Sequence, residues 1–414
     1  MFIQHRLERW VAQTSARIAL PLRLQLWNGQ QVDFSSEAPR VTIRLPNVAA
    51  ARYLLTPSLS SLGAAYVEGA IEVRGRAHDM IAIVNALART SLKAEGKFAR
   101  IVRSISHSRQ RDAEAIRYHY DVSNQFYQQF LDPAMVYSCA YFEHGDEDLA
   151  GAQAKKIDHI LRKIELRPGQ TLLDIGCGWG ALVMRAAQQY QARCVGVTLS
   201  ENQCQLARER VRRAGLEHLV DIRLQDYRDV RGQFERITSV GMFEHVGIKH
   251  LPEYFAVIHR LLAPDGVVMN HGITTTDADN GETPYGGGAF IDKYVFPQGE
   301  LAHIGHVLKA MQQGRLEVCD VENLRRHYAR TCAIWTDNFE ANADSARALA
   351  GDKRYRIWHV YLAGCSYAFE QDLISLYQIV GRKAGQRSAA LPWSRGAMYG
   401  GGPAAAGHHP LRPA

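Results

Sequence analysis

The stretch Leu172-Leu173-Asp174-Ile175-Gly176-Cys177-Gly178-Trp179-Gly180 constrains this chain more than any other. An apolar run with the look of a strand breaks into alternate glycines and then into the helical pattern Ala181–Tyr190. A strand, a tight turn and a helix satisfy that order. Glycine tolerates the left-handed backbone of such a turn and lets main-chain N–H groups come close to a ligand. The spacing is D-x-G-x-G-x-G rather than the G-x-G-x-x-G of dinucleotide-binding turns. A carboxylate at the strand end, Asp174, repels a pyrophosphate and suits a cationic or hydroxyl-bearing ligand.

The turn sits in a βα rhythm. A helix at 152–164 precedes it. Strands follow at Arg193–Thr198, Val220–Leu224, Arg236–Val240 and Gly266–Asn270, with helices at 201–214 and Leu251–Leu262. Alternation of this length predicts an α/β fold with a doubly wound parallel sheet. Region 297–385 reads as mostly helical, and 386–414, rich in Gly, Pro and Ala, as a disordered tail. Residues 1–90 are patterned differently. Helical spacing (Leu7, Trp10, Val11, Ile18) gives way to alternation at Leu22, Leu24 and Leu26, an Asn28-Gly29 turn signal, and Val41, Ile43 and Leu45, which together predict a small α+β domain. Residues 91–117 form a basic connector in which Phe98/Val102 and Ile101/Ile105 share a helical face. Such a helix lies on an anionic membrane or packs its stripe on its own protein.

Charge separates the two parts. Residues 1–120 hold 17 Lys+Arg against 9 Asp+Glu, whereas the remainder is nearly balanced at 32 against 33. The basicity suits membrane phosphates, nucleic acid or simply water. No window approaches the ~18–20 apolar residues that cross a bilayer, and the N-terminus lacks the unbroken apolar block of a secretory signal. The 7 cysteines are scattered, with no C-x-x-C pair. That argues for a reducing cytoplasm and against disulfides or zinc. No H-E-x-x-H is present, and no metal is expected.

Taken with strand two and Gln225-Asp226-Tyr227, the glycine motif resembles motif I of class I S-adenosylmethionine (SAM) methyltransferases, whose fold is a doubly wound, Rossmann-like sheet with helical insertions. One departure is that strand two ends Gly196-Val197-Thr198-Leu199-Ser200. It lacks the Asp or Glu that many of these enzymes offer to the ribose.

A closer resemblance is to the cyclopropane-fatty-acyl-phospholipid synthases and the related mycolic acid cyclopropane synthases. It is carried by Tyr118-His119-Tyr120-Asp121-Val122-Ser123-Asn124-Gln125-Phe126-Tyr127, Tyr137-Ser138-Cys139-Ala140-Tyr141-Phe142, Met242-Phe243-Glu244-His245-Val246-Gly247, Asn270-His271-Gly272-Ile273, Asp292-Lys293-Tyr294-Val295-Phe296-Pro297, His327-Tyr328-Ala329-Arg330-Thr331 and Tyr361-Leu362 through Cys365. These span 118–385, the expected catalytic domain. Ala65-Tyr66-Val67-Glu68-Gly69 resembles the small N-terminal domain of the phospholipid-acting branch.

The resemblance implies that SAM methylates the cis double bond of an unsaturated acyl chain in a membrane phospholipid. The carbocation then loses a proton and closes to a cyclopropane. It implies a bound bicarbonate as base, at Cys139, Glu244, His271, Ile273 and Tyr328. A His N–H and a Tyr O–H can donate to the anion, as can a main-chain N–H of Cys139 or Ile273, while Glu244 accepts from it or orients His271. For SAM it points to Tyr137, Ser138, Asp174, Gly176, Gly178, Thr198, Leu199, Gln203, Asp226 and Tyr227. It also implies a homodimer peripherally associated with the inner face of the membrane. Tyr118, Tyr141, Phe142, Tyr294, Phe296 and Tyr328 are candidate aromatic faces for the cation, or plain core aromatics. Lys293 is read as a headgroup ligand or a salt-bridge partner. Two other readings stay open: a fatty-acyl C-methyltransferase leaving a methyl or methylene branch, and a SAM-binding lipid carrier without turnover. Nucleic acid is not expected as a partner, since Ser239-Val240-Gly241-Met242-Phe243-Glu244 shows no Asn-Pro-Pro-Tyr motif.

Overall fold

The computed structural model describes residues 2–55, 57–91, 122–278, 287–295, 300–385 and 391–399. The basic connector lies almost wholly outside the described residues, as do Tyr118 and Phe296.

In the N-terminal part, helix α1 (Phe2–Ser15) precedes strands β1 (Leu22–Gln25), β2 (Gln31–Asp33) and β3 (Val41–Arg44). Helix α2 (Leu59–Val67), strand β4 (Glu72–Arg74) and helix α3 (Ala77–Ser91) follow. The sheet order is β2-β1-β3-β4. The Asn28-Gly29 signal makes the antiparallel β1–β2 hairpin. Gly29 supplies a positive φ of 85°, and Asn28 Oδ1 accepts the Gln30 N–H at 3.0 Å. Leu22, Leu24, Leu26, Val41, Ile43 and Leu45 all turn inward, as their alternation requires.

The second part is built on β5 (Thr171–Ile175), β6 (Arg193–Thr198), β7 (Val220–Leu224), β8 (Phe234–Val240), β9 (Leu262–Thr275), β10 (Leu316–Asn323) and β11 (Ile374–Lys383). Its helices are α4 (Leu149–Lys163), α5 (Ala181–Tyr190), α6 (Glu201–Arg213), α7 (Leu251–Leu261), α8 (Gly287–Tyr294), α9 (Ile304–Gln313), α10 (Arg325–Ala341) and α11 (Ala343–Glu370). The strand order is β10-β11-β9-β8-β5-β6-β7. The order reverses beside β5, between β6 and β8. In a doubly wound sheet the ligand crevice opens there, beyond the carboxyl ends of the strands.

Two expectations are corrected, and one that holds, the mostly helical region 297–385, gains two strands. The sheet is mixed rather than parallel, because β11 runs antiparallel to both β9 and β10. Region 297–385 contains these two strands besides its helices. β10 reads LEVCDVEN and is half exposed, so its charged alternate positions hide the strand among helical sequence. Finally, part of 386–414 is structured. At residues 391–399, Arg395 Nε pairs with Asp320 at 2.6 Å and the Tyr399 hydroxyl donates to Glu322 at 3.3 Å.

The two parts meet through apolar packing, Val67 with Phe290 and Ile81 with Ala363, and through polar groups. The Tyr66 hydroxyl lies 3.1 Å from His359 Nδ1, and His359 Nε2 is 2.8 Å from Glu340, which also accepts the Ala77 N–H at 2.8 Å. Among the described residues no helix is long and apolar enough to cross a membrane.

Candidate functional site

The turn after β5 is held open by its own backbone. Gly176, Gly178 and Gly180 take φ of 81°, 54° and 84°. The N–H groups of Gly176 and Cys177 both donate to the Val197 carbonyl at 3.0 Å, tying the turn to β6. A Cβ on Gly178 would meet nothing within 4 Å. The turn therefore cradles empty space: a cavity of about 250 Å³.

Every residue expected to bind SAM lines this cavity: Tyr137, Ser138, Asp174, Gly176, Gly178, Thr198, Leu199, Gln203, Asp226 and Tyr227. Asp174 is buried and accepts the Thr238 hydroxyl at 2.7 Å; burial pushes its pKa up to about 6. At the end of β6, where an acid is often found, the Thr198 hydroxyl donates to Gln203 Oε1 at 2.8 Å. Asp226 is engaged by Arg228 at 2.6 Å.

The opposite wall is residues 135–138, an irregular segment fixed by side chains. Asp132 accepts the N–H groups of Ala134 and Val136 at 2.8 and 2.9 Å. Gln153 Nε2 donates to the carbonyls of Val136 and Ser138 at 3.3 and 2.8 Å, and Lys156 Nζ donates to Ser138 Oγ at 2.8 Å. Neither Gln153 nor Lys156 is legible as functional in the sequence. The available signal was a polar pair on the buried stripe of α4, alongside Ala152, Ile157 and Ile160.

The residues expected to hold the base gather behind that wall. Glu244 Oε1 accepts the Ile273 N–H at 2.6 Å, which takes that donor out of reach of an anion. Among the described residues, Glu244 Oε2 and His271 Nε2 are buried without a partner. His271 Nδ1 accepts from Gln378 Nε2 at 3.2 Å, so the proton of the neutral ring sits on Nε2. Gln378 rather than Glu244 is the residue that orients His271. It was missed because its partner lies across two antiparallel strands (the register pair Gln378–His271). Burial pushes the Glu244 carboxyl up to about 7; burial and then the charges of Lys156 and Lys163 hold His271 well below its usual value. Tyr328 is raised well above its ordinary value by burial, with Cys332, Cys139, Cys365 and Glu244 adding to it. Cys139 is fully buried and its thiol is likewise pushed up by burial. An unpaired donor and an unpaired acceptor, both desolvated, fit a small hydrogen-bonding anion such as bicarbonate.

A second cavity, of about 150 Å³, is lined almost entirely by apolar side chains from both parts of the chain. Leu62, Met80 and Ile81 face Phe290, Val360 and Gly364 across it. Tyr361 and Cys365 also line it, and the Tyr361 hydroxyl lies 3.2 Å from that of Tyr137, in the wall of the first cavity.

Of the expected aromatic faces, Tyr328 belongs to this junction. Tyr141 is stacked between His159 and His327, at 4.4 and 4.9 Å. Phe142 packs under Arg330, and Tyr294 under Lys293 with its hydroxyl on Glu68. Tyr361 belongs to the Tyr361–Cys365 stretch that carries the family resemblance, though its place beside Tyr137 is visible only in the structure.

The family described as Mycolic acid cyclopropane synthetase matches residues 107–379, and a domain of unknown function matches 11–97. A probable fatty acid methyltransferase of Pseudomonas putida is 45% identical over 383 residues, covering 92% of this chain and 96% of its own length. The cyclopropane-fatty-acyl-phospholipid synthase of Escherichia coli (strain K12) is 39% identical over 262 residues, 63% of this chain and 66% of the relative. Among solved structures, a mycolic acid cyclopropane synthase complexed with SAH and CTAB is 36% identical with a TM-score of 0.63, covering 66% of this chain and 98% of that one. The glycine cradle, the buried Asp174 and this similarity agree: the chain is a SAM-dependent methyltransferase and belongs to the mycolic acid cyclopropane synthetase family.

Proposed function

We propose that the chain methylates the cis double bond of an unsaturated acyl chain in a membrane phospholipid and closes it to a cyclopropane, with bicarbonate as base. The observation that carries this reading is the apolar cavity, whose lining residue Tyr361 is hydrogen-bonded to Tyr137 in the wall of the cofactor cavity. An acyl chain threaded there brings an uncharged carbon nucleophile to the methyl-bearing end of the first cavity.

Bound SAM supplies an electrophilic methyl group, and bicarbonate a base for one proton. The protein aligns the reactants and excludes water. An alkene needs no activation by a nucleophilic side chain, and Cys139, buried with its thiol proton held tightly, is suited to packing rather than attack. The rings of Tyr137, Tyr328 and Tyr361 belong to one aromatic cluster and would stabilise developing positive charge by about 0.5–2 kcal/mol each as cation–π partners. His271 Nε2–H would donate to such an anion, as would the Tyr328 hydroxyl. Glu244, with a pKa of about 7, accepts when ionised and donates when protonated. The basic N-terminal part supports attraction to anionic headgroups, and with it a peripheral position on the membrane's inner face.

The test is incubation with SAM and vesicles of cis-unsaturated phospholipid, followed by proton NMR of the released fatty acids. Upfield cyclopropane methylene signals are expected. Olefinic loss with branched-methyl signals contradicts ring closure. It would favour a second reading, supported by the Pseudomonas putida relative described as a probable fatty acid methyltransferase: the same first step ending in a methyl or methylene branch.

A further inference from the structure

Lys156 is a charged side chain in an unusual place. It is 2% exposed and projects from the buried stripe of α4 to the cofactor cavity, which it lines. An ammonium has three donors, and Ser138 Oγ, at 2.8 Å, takes one of them. The nearest acids are committed elsewhere. Asp174 holds the Thr238 hydroxyl, and Asp132 holds the backbone of residues 134 and 136. Among the described residues no carboxylate lies within 4.0 Å of Lys156 Nζ. Removing an ammonium from water costs several kcal/mol unless a counter-charge repays it. Burial accordingly lowers its pKa to about 8, against the opposing pull of Cys139, Asp132 and Asp174.

Of the charged side chains lining the cavity, Asp226 and Arg228 pair with each other at 2.6 Å and Glu253 is exposed, which leaves Asp174 and Lys156 as the buried anion and cation. SAM's methionyl end is a zwitterion, with an ammonium and a carboxylate on one carbon. We propose that Lys156, together with the Ser138 hydroxyl it holds, binds the carboxylate of the cofactor's amino-acid end, opposite Asp174. The inference rests on the SAM site and not on the lipid or bicarbonate reading. Lys156 thereby fixes the cofactor along its length. Gln153, one helical turn earlier, supports the same contact by fastening the backbone of residue 138.

The experiment is calorimetric and needs no turnover. Wild-type protein is titrated with S-adenosylhomocysteine, with its carboxamide analogue, and with 5′-methylthioadenosine, which lacks the amino-acid end. The carboxamide is expected to bind about tenfold or more weaker than the parent; equal affinity overturns the proposal without any mutant having to fold. Lys156→Met should weaken S-adenosylhomocysteine by about tenfold or more and change methylthioadenosine by less than about twofold. Equal weakening of both ligands would show a purely structural lysine. Unchanged cofactor affinity with a raised bicarbonate requirement would assign Lys156 to the other anion and overturn the proposal as well.

Discussion

Glu244 is where burial and chemistry conflict most. Its carboxyl is raised from 4.5 to about 7, so the folded state binds this proton more tightly than the unfolded chain does. That contribution to stability is complete below about pH 4.5 and is lost as pH rises through 7, a span worth about 3 kcal/mol. Glu244→Gln keeps an acceptor for the Ile273 N–H and removes the titration. In bicarbonate-free buffer the stability of the variant relative to wild type should rise by about 3 kcal/mol between pH 4.5 and pH 8, read by denaturant unfolding. Parallel pH profiles would show that Glu244 is not the titrating group. The same variant should lose turnover by about a hundredfold while S-adenosylhomocysteine affinity holds within about twofold. Equal loss of both would assign Glu244 to the cofactor site or to the fold. Residues of this kind were legible where a motif carries them. Asp174, Gly176 and Gly178 sit in one local turn, and the turn alone announces them. Lys156 and Gln378 were not legible, because each works through a partner distant in sequence, Ser138 and His271, and a lone polar residue in an apolar pattern carries no address.

Between elements, the pairing of β9 with β11 decides which nitrogen of His271 carries the proton. Gln378 is fully buried and donates to Nδ1. Gln378→Met should lower kcat by about tenfold with unchanged cofactor affinity, the size expected when a partner that orients a functional histidine is removed. Gln378→Glu should be worse, because a carboxylate accepts from Nδ1–H and turns Nε2 into an acceptor facing the anion. A Glu variant as active as the Met variant would exclude this tautomer argument. The sequence pattern identified β5 to β9 and α4 to α7 within a few residues, because each has a clean period. It missed β10 and β11. There, half-exposed alternation and a short apolar run follow or precede long helices, and periodicity cannot separate the two. The antiparallel pairing that aims His271 therefore appears only in three dimensions.

At the scale of the whole molecule, the N-terminal part walls the apolar cavity and does more than carry positive charge. Gly364 on α11 lines that cavity, and a Cβ there meets nothing within 4 Å. Gly364→Leu should fold normally and fill the space. Activity on long-chain lipid should fall by about tenfold or more, as an ordered chain loses several buried methylenes at about 0.8 kcal/mol each, while S-adenosylhomocysteine affinity stays unchanged. Full activity would show that the chain runs elsewhere. Division into two parts was readable from charge and pattern. Their junction, from Tyr66 through His359 to Glu340, was not, because it joins residues nearly three hundred positions apart. Ring closure by loss of a proton from the transferred methyl group is tested most directly by turnover with SAM carrying a CD3 group, followed by deuterium NMR of the lipid. The expected product holds two deuterons on an upfield ring methylene, the third having gone to the base. Label on an olefinic methylene or on a methyl branch, or none in the lipid, would contradict it.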